Sequence, residues 1–177
     1  SSKGMSNMYY FHYMYPYPYP YPNYGNFPMY NNGRPPMWWR SPHVIRDHGK
    51  EPFVVNIDEA AKQNNTFRTA IWTGDHLQVT LMSINVGEDI GLEMHPTLDQ
   101  FLRIEDGQGI VQMGDTRNHL KFRANVYDNY AVMVPAGKWH NVINTGNRPI
   151  KLYSIYAPPE HPFGTVHRTK AEAEEDH

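Results

Sequence analysis

Beyond residue 45 the chain is a succession of short apolar runs separated by turn-forming residues, and most of the runs alternate with a period of two. That is the signature of strands with one buried face. The pattern predicts strands at Phe53–Ile57, Phe67–Thr73, Leu77–Val86, Gln100–Glu105, Gly109–Met113, Leu120–Val126, Tyr130–Val134, Trp139–Asn144 and Ile150–Tyr156. Thr73-Gly74-Asp75-His76 is a hairpin turn between two of them. In Leu77–Val86 the apolar phase runs Leu77, Val79, Leu81 and then slips to Met82, Ile84, Val86. Such a slip marks either a bulge or a strand buried on both sides. Ala60–Asn64 suits a single helical turn. Thr169–Asp176 is rich in Ala and Glu and reads as a short acidic helix or, more simply, a solvated terminus. Closely spaced strands without a long helix between them predict an all-β antiparallel sandwich or barrel.

Before residue 45 the character changes. No Asp, Glu, Lys or Arg lies between Gly4 and Gly33, and Tyr15 to Pro22 is Tyr-Pro repeated. Proline fixes its own φ and pushes the preceding residue out of the helical region, so this stretch reads as an extended polyproline-like arm. Its uncharged tyrosines make it either a passive tail or a docking arm. Trp38-Trp39 reads as a pair packed on the barrel or on a neighbouring subunit. Residues 1–4, ahead of Met5, read as a vector-derived remnant. The organisation expected is thus 1–4 remnant, 5–45 arm, 46–165 barrel and 166–177 acidic tail or short helix.

Composition narrows the chemistry. The formal charge is −2, with no broad basic surface, so nucleic acid is not the expected partner. No run approaches a membrane span. Cysteine is absent, so any metal must be held by His, carboxylate or amide groups. A cytoplasmic protein is expected, with a spore or surface location as the alternative suggested by the arm.

The chemistry-bearing residues fall in two clusters. Glu93 and His95 are two apart, so on an extended chain they share a face. After the turn at Pro96-Thr97-Leu98, Gln100 shares its face with Leu102 and Ile104, which points it inward, and Asp99 shares the opposite face with Phe101 and Arg103. Pro135-Ala136-Gly137 makes a second turn, and His140 opens the strand after it. A histidine in a strand is commonly a satisfied core residue. A buried Glu93, however, needs a cation or donors, at a cost otherwise of a few kcal/mol. The remaining histidines, among them His48, His161 and His167, fall in loops, turns or tails. Met82, Met133, Tyr130 and Phe122 read as core.

Two spaced motifs resemble those of the cupin superfamily. The first reads Gly87, Glu93, His95, Gln100, Gly107, and the second Asn129, Pro135, Gly137, His140, Asn144, with the family's intervals kept. Glu93 stands where the family commonly has His, Gln100 where it commonly has Glu, and Asn129 where it has Gly. The resemblance implies a single cupin-type double-stranded β-helix (jelly-roll) barrel with an extended N-terminal arm. It implies one divalent metal ion (Fe, Mn, Zn, Ni or Co) on Glu93, His95, Gln100 and His140. Two imidazoles and a carboxylate suit non-haem Fe(II) and several other ions, and the amide is a weak ligand.

Among small bacterial cupins the chain is most similar to the group described as like mannose-6-phosphate isomerase. That similarity implies a small-molecule ligand, dioxygenase-like or sugar isomerase-like chemistry, and a homodimer. The apolar Phe53–Ile57 edge offers a surface for pairing. Lys138 and Arg103 are the cations available for a phosphate, and Arg103 points outward. The alternative is a non-enzymatic cupin used as a binding or structural module through its Tyr-Pro arm. Asn144 reads as a brace for its strand, and Trp139 as core or interface.

Overall fold

The structure is a computed structural model and describes residues 45–176; the expectations for the Tyr-Pro arm and for Trp38-Trp39 lie outside the described residues. Helix α1 (Ile57–Gln63) begins where Asn56 caps it, its side chain accepting from Glu59 N at 3.2 Å. The helical turn expected at Ala60–Asn64 is therefore present and starts earlier. The strand expected at Phe53–Ile57 is absent: those residues form no ladder, Val54 is exposed, and Ile57 is already helical. No strand edge exists there for a partner to extend.

Nine strands follow. They are β1 (Arg68–Thr73), β2 (Gln78–Ile84), β3 (Asp99–Asp106), β4 (Gly109–Gly114), β5 (Phe122–Val126), β6 (Ala131–Val134), β7 (Trp139–Asn144), β8 (Ile150–Ala157) and β9 (Val166–His167). Helix α2 (Lys170–Glu175) closes the chain, capped by Thr169 and burying Ala173, so the end is a docked helix and not a solvated terminus. One sheet has the order β6-β3-β8-β2-β1-β9 and the other β5-β4-β7, all pairs antiparallel. This is the expected all-β double-stranded β-helix. The pairing of β9 with β1 carries the sheet past residue 165. Asn129 takes a positive φ of 70°, which Asn tolerates better than most residues, at the turn into β6.

The interior has two ends. In register, Met82, Leu152 and Ile104 lie opposite one another, with Ile84 facing Ile150. These join Val111, Val126, Val132 and Val142 in one apolar cluster. Each such aliphatic side chain contributes ~2 kcal/mol or more by leaving water. One step further along the same strands the inward positions turn polar: Gln78 lies opposite Tyr156 and Tyr156 opposite Gln100, with Thr80 opposite Ser154. All five are buried.

This two-ended interior explains the phase slip in β2. Its inward residues are polar at Gln78 and Thr80 and apolar at Met82 and Ile84. Its outward Val79 and Leu81 pack under α1 with Ala60, Ala61 and Ile71. The strand is buried on both sides and the apolar phase changes face; the bulge lies in β1, between Ala70 and Trp72.

Candidate metal centre

The stretch from Gly87 to Pro96 is irregular, yet backbone hydrogen bonds fasten it to β7. Glu93 N donates to His140 O at 3.1 Å and His140 N to Glu93 O at 2.9 Å. Ile90 N donates to Val142 O, Asn144 N to Glu88 O, and Gly137 N to His95 O. Two side chains distant in sequence are thus set directly opposite each other, and His95 joins them. One ligand atom from each of Glu93, His95 and His140 lies within 4.8 Å of the others.

The hydrogen-bond partners decide how these groups are protonated. His140 is fully buried, and its Nδ1 lies 3.0 Å from Lys138 O. A carbonyl only accepts, so Nδ1 carries the proton and Nε2 presents a lone pair. His95 Nδ1 faces Glu160 Oε1 at 3.3 Å, which fixes its proton on the same side. Both Nε2 atoms then point at one carboxylate oxygen, Glu93 Oε1, from 3.5 Å (His95) and 3.3 Å (His140). Neither Nε2 has a hydrogen-bond partner with acceptable geometry.

Three acceptors facing one another repel unless a cation lies among them. Burial by itself would raise the Glu93 carboxyl, but the closeness of the His140 and His95 rings prevails and holds it well below the usual carboxylate range. Burial pushes the His95 ring down, and the carboxylates of Glu93 and Glu160 more than reverse this, so its pKa is raised. The cluster draws positive charge. Ligand atoms ~2.1 Å from a shared ion lie ~3–3.5 Å apart, and the two imidazole-to-carboxylate spacings of 3.5 and 3.3 Å fall in that range.

Gln100 lies inward as its strand parity requires, and it is buried. Its Nε2 donates to Ser154 Oγ at 2.8 Å, which turns the amide so that Oε1 is left without a partner. Asp99 points outward and accepts from Ala136 N. Arg103 is also outside, bound to Glu105 and Asn129, and Lys138 pairs with Asp115. Asn144 braces the loop beyond β7, donating to Ile84 O and Arg148 O.

A cleft of about 610 Å³ leads to Glu93 and His95. Several of its surroundings escape a reading by motif. Arg68, Tyr156, His161 and His167 are all buried; His161 lies in the loop between β8 and β9 as expected, and His167 lies in β9 and not in a tail. The Tyr156 ring stands edge-on to both His95 (5.7 Å) and His161 (5.2 Å). Burial, reinforced by the charge of Arg68, drives His161 down to about 3. Burial also raises Tyr156, which stays a neutral donor. Conversely, Phe122, Met133 and Tyr130 are exposed and are not core, whereas Met82 is.

The model of the cupin domain matches residues 80–156. The chain is 59% identical over 170 residues to the "Uncharacterized protein YrkC" of Bacillus subtilis (strain 168), covering 85% of this chain and 91% of that one. A crystallised protein of Bacillus halodurans is 67% identical, with a TM-score of 0.73, over 74% of this chain and 99% of that one. The chain belongs to the cupin superfamily. A Klebsiella pneumoniae protein described by its double-stranded beta-helix domain has the same fold as this cupin, at 17% identity and a TM-score of 0.52, over 67% of this chain and all of that one. Among the described residues of the cupin, no helix is long and apolar enough to cross a membrane.

Proposed function

We propose that this cupin binds one divalent metal ion through Glu93, His95 Nε2 and His140 Nε2, and acts on a small oxygenated ligand that enters by the cleft. The observation that carries this is the convergence of two unpaired imidazole lone pairs on one carboxylate oxygen. Gln100 Oε1 is the fourth, weaker donor; it is buried and has no other partner. Lys138 O and Glu160 hold the two rings by their Nδ1 protons, the outer support that metal-bound imidazoles ordinarily have. The ion would supply Lewis-acid or oxygen-binding chemistry. The chain's own residues would orient the ligand and direct the two Nε2 atoms at the ion. Sugar-phosphate isomerisation is the weaker branch of this reading, because Lys138 and Arg103 are both engaged away from the cleft.

Metal analysis of protein purified without added metal tests it. About one equivalent of Fe, Mn, Zn, Ni or Co is expected, and the His140→Ala variant should carry none. Protein that takes up no divalent ion even after soaking would overturn the reading.

A further inference from the structure

We propose that Arg68 anchors a carboxylate group of the small molecule that occupies the cleft, so that the ligand is a short carboxylic acid with a second oxygen directed at the metal centre. This deepens the reading above and rests on it. Arg68 opens β1, its residue is only 2% exposed, and it lines the same cleft as Glu93, His95 and Glu160. Arginine carries five donors and is never neutral. One of them is used, Nη1 lying 3.2 Å from His167 Nδ1. His167 Nε2 meets Asp176 Oδ2 at 2.8 Å, so the imidazole proton sits there and Nδ1 accepts from the guanidinium. Nε of Arg68 is buried with no partner.

Among the described residues no carboxylate lies within ion-pair distance of Arg68. A buried guanidinium without an anion is costly, and its charge is felt as far as His161. The Tyr156 hydroxyl, neutral and buried, lies beside Ser154 and the Arg68 guanidinium with no hydrogen bond of good geometry. The metal ligands offer only acceptors, while Arg68 and Tyr156 offer donors. A molecule satisfying both must present a metal-binding oxygen to one set and an acceptor anion to the other.

A carboxylate fits this better than a phosphate. The planar guanidinium matches a carboxylate fork. The cleft wall also bears Glu160 and Glu174, which disfavour the two charges a phosphate would concentrate at Arg68, whereas in a short dicarboxylate the second charge is directed at the metal. Of the other two cations of that wall, Lys170 is already paired with Asp89 and Arg117 lies over the Trp139 ring. Motif reasoning passes over Arg68 because it precedes both metal motifs, in a strand whose remaining residues read as ordinary core.

The test is isothermal titration of the full chain with malonate and with inorganic phosphate, on metal-stripped and Zn-loaded protein. Saturable malonate binding is expected, weakened at least ~10-fold in Arg68→Gln, with Zn affinity within ~3-fold of the parent. Equal malonate affinity in the variant, preference for phosphate over malonate, or no binding of either by the parent overturns the proposal. Should Arg68→Gln fail to fold, Arg68→Lys decides. It keeps the charge but not the fork, so undiminished malonate affinity counts against the assignment and a loss of ~3-fold or more supports it. A parent that binds malonate but no Zn would sink the metal reading alone.

Discussion

The two ends of the barrel interior use the same strands for opposite purposes. At one end Met82, Ile84, Leu102, Ile104, Ile150 and Leu152 fill the space with aliphatic carbon and leave no polar atom to satisfy. At the other, a shift of two residues along β2, β3 and β8 brings Gln78, Thr80, Gln100, Ser154 and Tyr156 inward, and several of their polar atoms have no partner. Stability resides where packing is complete, and binding where hydrogen-bonding capacity is deliberately left over. A chain that used the second pattern throughout would lose its core, and one that used the first throughout would hold nothing.

The largest effect that would break this division is in the apolar end. Leu102→Ala should destabilise the protein by ~2–5 kcal/mol in urea unfolding, because the fully buried cavity cannot collapse. Its Zn affinity, measured by titration on the folded variant, should stay within ~3-fold of the parent. At the polar end the order reverses. His140→Ala should weaken Zn binding by ~100-fold or more, while metal-free unfolding changes less than for Leu102→Ala.

Gln100→Leu carries the aliphatic pattern one step into the polar end. It removes an unpaired buried oxygen but also the Nε2 donor to Ser154 Oγ, so metal-free stability should fall by no more than ~1–3 kcal/mol. Zn affinity should drop by ~10-fold at most, as befits a weak amide donor. A drop equal to that of His140→Ala would make Gln100 a principal ligand.

A further effect is in pH. His161 is held at about 3 when folded, against an ordinary imidazole value of 6.5 when unfolded. Between those values the unfolded chain binds a proton that the folded chain refuses. This contribution to stability is complete above pH 6.5 and is lost as pH falls toward 3. Urea midpoints at pH 7.5 and 4.5 should therefore differ less in His161→Gln than in the parent.

Much of this was legible in the sequence, for identifiable reasons. Strand positions followed from period-two alternation, and β3 to β8 begin and end within two residues of the pattern. The inward aim of Gln100 and the outward aim of Asp99 followed from parity with Leu102 and Ile104. Convergence of Glu93, His95 and His140 followed from motif spacing, although Glu93 and His95 reach it from an irregular segment and not from a strand.

What escaped is physical in kind. Phe53–Ile57 has strand propensity but no neighbour to pair with, and the cap at Asn56 recruits its last residue into α1. Met133 alternates with buried Val132 and Val134 and falls on the outer face, whereas Phe122 and Tyr130 share the parity of core residues but lie exposed at strand ends. Arg68, His161 and His167 are buried together because β9 returns to pair with β1, and no local pattern announces a contact between residues ninety-nine positions apart.

The reciprocal backbone bonds between Glu93 and His140 have a temporal consequence. The two halves of the bracket are separated by four intervening strands, β3 to β6, and each is fastened to the other by these bonds. An ion arriving during synthesis would meet only scattered single donors. On the proposed reading, tight capture of an ion would wait until β7 has docked, so uptake would time the closing stage of folding rather than seed its beginning.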